Sequence, residues 1–186
     1  MKNLILIKPS KEYLKEIRDY RNEFFDFNSS FAGDSGLRKF EDINEWIEHC
    51  RLMENKETVP NSNLVEGEQF MLVHEGENRI LGMINFRHYL NDHLAEIGGH
   101  IGYCVRPSER GKGYAKTMLS LCLNQCREFG LEKILLTCDE NNVASKRTIL
   151  ACGGVFEITA IHDEKAVERY WIALLHTPKP PRNTQN

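Results

Sequence analysis

The stretch HIGYCVRPSERGKGYA, residues 100–115, decides how the rest of the chain is read. Its first part, His100 to Val105, carries the β-branched and aromatic residues of a strand, with a glycine at Gly102. Pro107 ends that ladder, because proline brings no N–H and pushes Arg106 away from helical geometry. Arg110, Gly111, Lys112 and Gly113 follow, and from Tyr114 to Phe129 the apolar residues recur at helical spacing. A strand that feeds a glycine-rich turn into a helix start gathers several unpaired backbone N–H groups at one point. The helix dipole adds partial positive charge there, so the turn is an anion site of the kind that seats phosphates.

Working outward, Leu4 to Lys8 reads as a short strand ended by Pro9. Ser10 then caps a helix with Tyr13, Leu14, Ile17, Tyr20 and Phe24 on one face. The segment Phe27 to Lys39 is rich in Gly, Ser, Asn and Asp and reads as a loop. A second helix carries Ile43, Trp46, Ile47, Cys50 and Met53, and Asn55 to Glu68 is another polar loop. Gln69 to His74 and Arg79 to Tyr89 form a hairpin across Glu75–Asn78. Asn91 to Leu94 makes a turn, and Glu96 to Val105 is the next strand. Beyond the glycine loop, Gly130 ends the long helix and Lys133 to Cys138 is an apolar strand buried on both faces. Val143 to Cys152 is a short helix closed by Gly153 and Gly154. Val155 to Ile161 and Glu168 to Leu175 form a last antiparallel hairpin. This β-α-α-β-β-β-α-β-α-β-β order implies an α/β fold, a mixed and mostly antiparallel central sheet with helices on both faces. With no repeat and no shift in composition, residues 1–177 read as a single domain and residues 178–186 as a disordered tail.

The 186 residues suffice for one sizeable core. A hydrophobic share of 41%, a charged share of 27% and a net charge of −3 are ordinary for a globular protein. Nothing global therefore points to nucleic acid or to an anionic membrane. The apolar run at the N-terminus is too short for a signal peptide or a membrane span. The six cysteines contain no C-x-x-C pair. Most of them fall inside predicted elements, as buried thiols do, so a reduced, cytoplasmic protein is the simplest reading. No metal is expected.

Two named phosphate motifs fail on the loop. Gly113-Tyr114-Ala115-Lys116-Thr117 lacks the Gly-Lys adjacency of a P-loop, and Gly111-x-Gly113 lacks the third glycine of a dinucleotide fingerprint. Arg110-x-x-Gly113-x-Ala115, preceded by Val105-x-Pro107, resembles instead the acetyl-CoA motif of the GCN5-related N-acetyltransferase (GNAT) family. Asn142-x-x-Ser145, after the apolar strand and ahead of a glycine pair, is similar to that family's downstream helix start. The stretches Arg87-His88, Gly98 to Tyr103 and Cys152-Gly153-Gly154 resemble a bacterial subgroup of predicted acetyltransferases. The resemblance spans Leu4 to Leu175.

It implies an acyl-CoA N-acyltransferase fold and an acetyl-CoA-dependent transfer to a primary amine, by direct attack in a ternary complex. Gly111 and Gly113 would let the backbone approach the pyrophosphate, with N–H groups from Tyr114 and Ala115 and countercharge from Arg110 and Lys112. Tyr103, Cys104 and Val105 would splay from the neighbouring strand and pair with the pantetheine arm. Asn142 is either a ligand contact, a helix cap or both, and Ser145 lies near the same end of the cofactor.

An amine with a pKa of ~10.4 must lose a proton before it attacks. The candidate catalytic groups are His100, Glu96, Tyr103 and His88. His100 also reads as a hydrogen-bonded structural histidine holding the loop at Asn91 to Leu94, and Glu96 as a solvated strand-end charge. Arg87 and His88 end a strand and either line or brace the acceptor pocket. Many family members carry a proton-donating tyrosine seven residues after the motif asparagine, and here that position is Ile149. Another group, such as Tyr170 or water, would replace it, or no acid is needed, since the thiolate of coenzyme A is a fair leaving group. Cys104 and Cys138 alternate with apolar neighbours, which suits packing better than nucleophilic catalysis. Asp34, Glu57, Glu66 and Glu68 lie in or beside loops that border the acceptor side, as solvated charge or as an attraction for a cation.

The acceptor is a small molecule or a peptide amine, and the exposed sheet edges of such a fold are compatible with a homodimer. A different class of function, a catalytically weak CoA-binding sensor, is compatible with the same residues, as is a nucleotide- or sugar-phosphate-binding protein.

Overall fold

The computed structural model describes residues 3–174. Strands β1 (Leu4–Ile7), β2 (Gly67–His74), β3 (Ile80–Arg87) and β4 (Ile101–Val105) form one antiparallel sheet in that order. A second antiparallel sheet has β7 (Lys165–Ala173) between β5 (Lys133–Asp139) and β6 (Val155–His162). The α/β architecture expected from the element order is present, with its sheet divided in two.

Side-chain alternation along the strands decides which helix covers which face. Met71, Val73 and Met83 point to one side of the first sheet. There they meet Tyr20 and Phe24 of α1 (Leu14–Asp26) and Trp46 of α2 (Ile43–Leu52). Leu72, Ile84 and Phe86 point to the other side, against Met118, Leu119 and Cys122 of α4 (Tyr114–Phe129). The same core runs on through Ile149 of α5 (Val143–Ala151) to Leu136 and Tyr170 of the second sheet. All six cysteines are free, and five of them are buried.

The two sheets meet at one place. β4 pairs along β3 from Phe86↔Ile101 to Gly82↔Val105. On its other side, the His100 N–H donates to the Leu135 carbonyl at 2.8 Å. The Leu135 N–H donates in turn to Nδ1 of His100 at 3.0 Å. From Ile101 onward, β4 and β5 belong to different sheets. Just before the junction, Gly98 and Gly99 take left-handed φ values of 102° and 60°. That conformation favours glycine, and it turns the chain so that Gly98 N–H reaches Thr137 Oγ1 at 2.8 Å.

The far end of β4 is fixed by Arg106, which is 4% exposed. Its guanidinium pairs with Glu16 and Glu23 of α1, the latter at 2.5 Å, and Glu23 also accepts the Ser108 N–H at 2.8 Å. Removing one partner from such a pair strands the other charge, at a cost of roughly 3–5 kcal/mol.

Several boundaries differ from the sequence reading. The expected strand from Glu96 to Val105 begins only at Ile101, because residues Asp92–Glu96 form a short helix, α3. Asn91 caps it by accepting the Leu94 N–H at 2.9 Å. Ser10 precedes a 3-10 turn at Lys11–Tyr13 rather than α1 itself, and its side chain makes no capping bond. The last hairpin is longer than expected, because Asp163 and Glu164, both at positive φ, make a tight turn that suits strand twist. The expected disordered tail lies outside the described residues, as does Leu175.

The junction makes a stability prediction. A Cβ at Gly99 would run into the Leu135 carbonyl. Gly99→Ala should therefore cost about 2 kcal/mol or more, read as a lower urea midpoint with an unchanged slope.

Candidate active site

Where the sheets part, a cleft of about 520 Å³ opens along β4 and continues to the start of α4. Tyr103, Cys104 and Val105 line its strand side, and Arg110, Gly111, Gly113, Tyr114 and Ala115 line its loop side. Asn142 and Ser145, at the start of α5, face them. The structure thus brings together all the sequence-selected binding residues except Lys112, which does not line the cleft. Its ammonium is held by Glu109 at 2.7 Å.

The loop is built to receive an anion. Gly111 and Gly113 lie at φ 78° and 84°. A Cβ at either position would meet no atom within 4 Å, so the backbone is open to close approach. Tyr114, Ala115 and Lys116 occupy the first turn of α4, where N–H groups have no partner within the helix. Arg110 is turned back along the cleft wall, donating to the Val105 carbonyl at 3.2 Å and to Ser29 Oγ at 2.7 Å.

Ser29, Ser30 and Ala32 complete that wall. Sequence reading had assigned their loop to the acceptor side alone. A serine pair in a polar loop carries no signal that would have revealed this second role.

Tyr103 spans the cleft. Its hydroxyl lies 2.9 Å from Ser145 Oγ and 3.4 Å from the Ser145 carbonyl. Burial pushes its pKa up to about 12, so the phenol stays protonated at neutral pH. Asn142 caps α5, with Oδ1 accepting the Ser145 N–H at 3.1 Å, and it lines the cleft as well. Both readings of Asn142 therefore hold together geometrically.

The other catalytic candidates are placed elsewhere. Glu96 is exposed at the end of α3, off the strand that the sequence pattern assigns to it. His88 is 7% exposed on the α4 side, stacked on Phe129 at 4.2 Å, and Glu66 and Glu68 stand 3.8 and 3.7 Å from its ring nitrogens. His100 is spent on the sheet junction, and burial draws its pKa down to about 4. A group that weakly basic is poorly matched to deprotonating an ammonium near pH 7.

The remaining alternatives resolve in similar ways. Ile149 is fully buried beneath Gly154, so its position in α5 serves packing. Tyr170 is 1% exposed and donates its hydroxyl proton to Glu168, which also holds Lys146 at 2.6 Å. Burial pushes the thiols of Cys104 and Cys138 up to about 11, which keeps them out of the thiolate form. Among the described residues, no group of His, Cys, Asp and Glu side chains is arranged to hold a metal, and no helix is long and apolar enough to cross a membrane.

Comparison with known proteins agrees with this geometry. The family model of the acetyltransferase (GNAT) domain matches residues 4–155. The chain therefore belongs to the GNAT acetyltransferase family, and it is an N-acetyltransferase with acetyl-CoA as donor.

A distant homologue is the uncharacterized N-acetyltransferase YnaD of Bacillus subtilis, 27% identical over 169 residues, covering 86% of this chain and 92% of YnaD. Among solved structures, the microcin C7 self-immunity acetyltransferase MccE, bound to acetyl-CoA and AMP, has a TM-score of 0.66 at 18% identity, covering 91% of this chain and 92% of MccE. Mutant forms of the spermidine/spermine N-acetyltransferase SpeG from Vibrio cholerae give a TM-score of 0.60 at 17% identity, covering 92% of this chain and 95% of SpeG. At these identities the structural matches show the shared fold.

His100 makes the pH prediction. Its folded pKa of about 4 lies below the ordinary 6.5, so between those values the unfolded chain binds the extra proton. Its contribution to stability is full above about 6.5 and is lost as the pH falls toward 4. Urea unfolding should show that decline in the native protein and a flatter profile in His100→Gln.

Proposed function

We propose that acetyl-CoA lies along the free edge of β4 and that a primary amine attacks its thioester directly, with both substrates bound. The observation that carries this is the continuity of the cleft. The strand edge left open beyond the His100–Leu135 bonds leads straight to the glycine turn and the start of α4. The pyrophosphate would rest on the N–H groups of Gly113 to Ala115, and the pantetheine amides would pair with the backbone of Tyr103 to Val105. The reaction then needs little from side chains. The amine adds to the carbonyl carbon, a backbone N–H on β4 stabilises the oxyanion, and the C–S bond breaks as the acetamide forms. The amine gives up its proton to water.

Tyr103 is the group we assign as proton donor to the departing thiolate. It is the one of the four candidate catalytic residues that lines the cleft. Its high pKa keeps the proton available, and Ser145 orients the hydroxyl. A nucleophilic cysteine has less support, since Cys104 is tied to the Tyr20 hydroxyl at 3.2 Å.

Two variants test the assignment. Gly113→Asp places a carboxylate where the pyrophosphate would sit and forces a side chain onto a left-handed φ. Acetyl-CoA affinity by calorimetry should fall about 100-fold or more while the melting temperature holds within a few degrees; normal affinity would overturn the site. Tyr103→Phe should lower kcat by about 10- to 100-fold with KM for acetyl-CoA little changed. An unaltered kcat would transfer the role of acid to water.

A further inference from the structure

On the acceptor side, Arg87 is a cation that the fold leaves without an ionic partner among the described residues. Arg87 ends β3 on the face that carries Asn85 and Met83, beside Gly102 of β4. Its Nη1 donates to the carbonyls of Gly98 and Gly99, at 3.0 Å each, and so braces the turn before the sheet junction. Nη2 stands 3.5 Å from where a Cβ on Gly102 would sit, one residue before Tyr103. Neither Nη2 nor Nε makes a hydrogen bond among the described residues, and no carboxylate there forms an ion pair with Arg87. The side chain is mostly buried, and that burial holds its pKa below the ordinary guanidinium value with no acidic neighbour to offset it.

Compare Arg106, which is more deeply buried than Arg87 and has two glutamates against it. A guanidinium withdrawn from water is costly unless an anion answers it. Bracing a turn through two carbonyls uses only Nη1. What remains free is the Nε–Nη2 edge, whose parallel donors match the two oxygens of a carboxylate.

We propose that Arg87 binds a carboxylate of the acceptor, and that the acceptor is a free α-amino acid whose amine receives the acetyl group. The inference rests on the placement of the thioester beside Tyr103 given above. Arg87 and Gly102 do not line the cleft itself, but Gly102 precedes Tyr103 on β4, so a carboxylate on Arg87 would lie one residue, about 3.8 Å along the chain, from where the thioester is placed. An α-amino acid has that short separation between carboxylate and amine. A polyamine would bring a second positive charge to the guanidinium, and the fold shared with SpeG does not carry that enzyme's acceptor over to this chain. The acceptor-side carboxylates give no support for a polyamine beside Arg87: Glu66 and Glu68 face His88 on the opposite side of the sheet, Glu57 is exposed, and the buried Asp34 accepts the Gly36 N–H with its pKa raised by burial.

The test uses the native protein loaded with CoA. N-acetyl derivatives of the standard α-amino acids are titrated by calorimetry beside the same compounds with the carboxylate amidated. At least one free carboxylate should bind 10-fold or more tightly than its amide. In turnover, the parent amino acid should outpace its amide and spermidine in kcat/KM, with the difference in KM.

Arg87→Lys should keep part of that preference and Arg87→Met should lose it, the acids being compared with their amides within each variant. Equal binding of acids and amides, or turnover of spermidine above every amino acid, overturns the proposal. Failure to bind CoA at all would instead overturn the site on which it rests, so the two failures are separable.

Discussion

Two hydrogen bonds between His100 and Leu135 hold the rest of the site in place. With the Gly98–Thr137 bond beside them, they fasten together two sheets that otherwise follow separate ladders. A continuous sheet would pair every backbone group of β4 and leave no edge for a ligand. With no tie, the sheets would lose their common alignment and the cleft its width. Fastening the strands at one end lets the rest of β4 stand open while Arg106 fixes its far end to α1. The side chain of His100 serves this as well as the backbone does, which is why its ring is a poor place to look for a base.

The glycine turn was legible in the sequence because its chemistry is local. Pro107, the paired glycines and the helical pattern from Tyr114 fix a strand, a turn and a helix start within a short run. Backbone N–H groups are the donors that such a turn offers, so no distant partner need be known. Asn142 and Ser145 were legible for the same reason, being a cap and the residue that it caps. The long elements followed from their periodicity. The start of β4 did not, because Glu96 and Ile97 look like strand residues until Asn91 is seen to cap a short helix that ends at Glu96.

Side-chain roles set by contacts far along the chain were not legible. His100 bonds Leu135, Tyr103 meets Ser145, and His88 turns toward Phe129. Each pairing depends on how strands distant in sequence come to lie side by side. Strand alternation alone does put Arg87 and His88 on opposite faces. What it could not show is that His88 has glutamates near it while Arg87 has none.

Gly33 bears on how such an enzyme can change. Its backbone lies so close to β4 that a Cβ there would strike the Gly102 carbonyl. Gly102 is constrained in return, since its own Cβ would sit 3.1 Å from the Gly33 Cα. A mutation that enlarges either residue pushes the loop off the strand, and neither can be enlarged to accommodate the other. The wall beside Gly102 is therefore locked against stepwise remodelling. New acceptor preferences would have to evolve through segments that are not pressed together in this way, such as the loop between α2 and β2 or the β6–β7 turn.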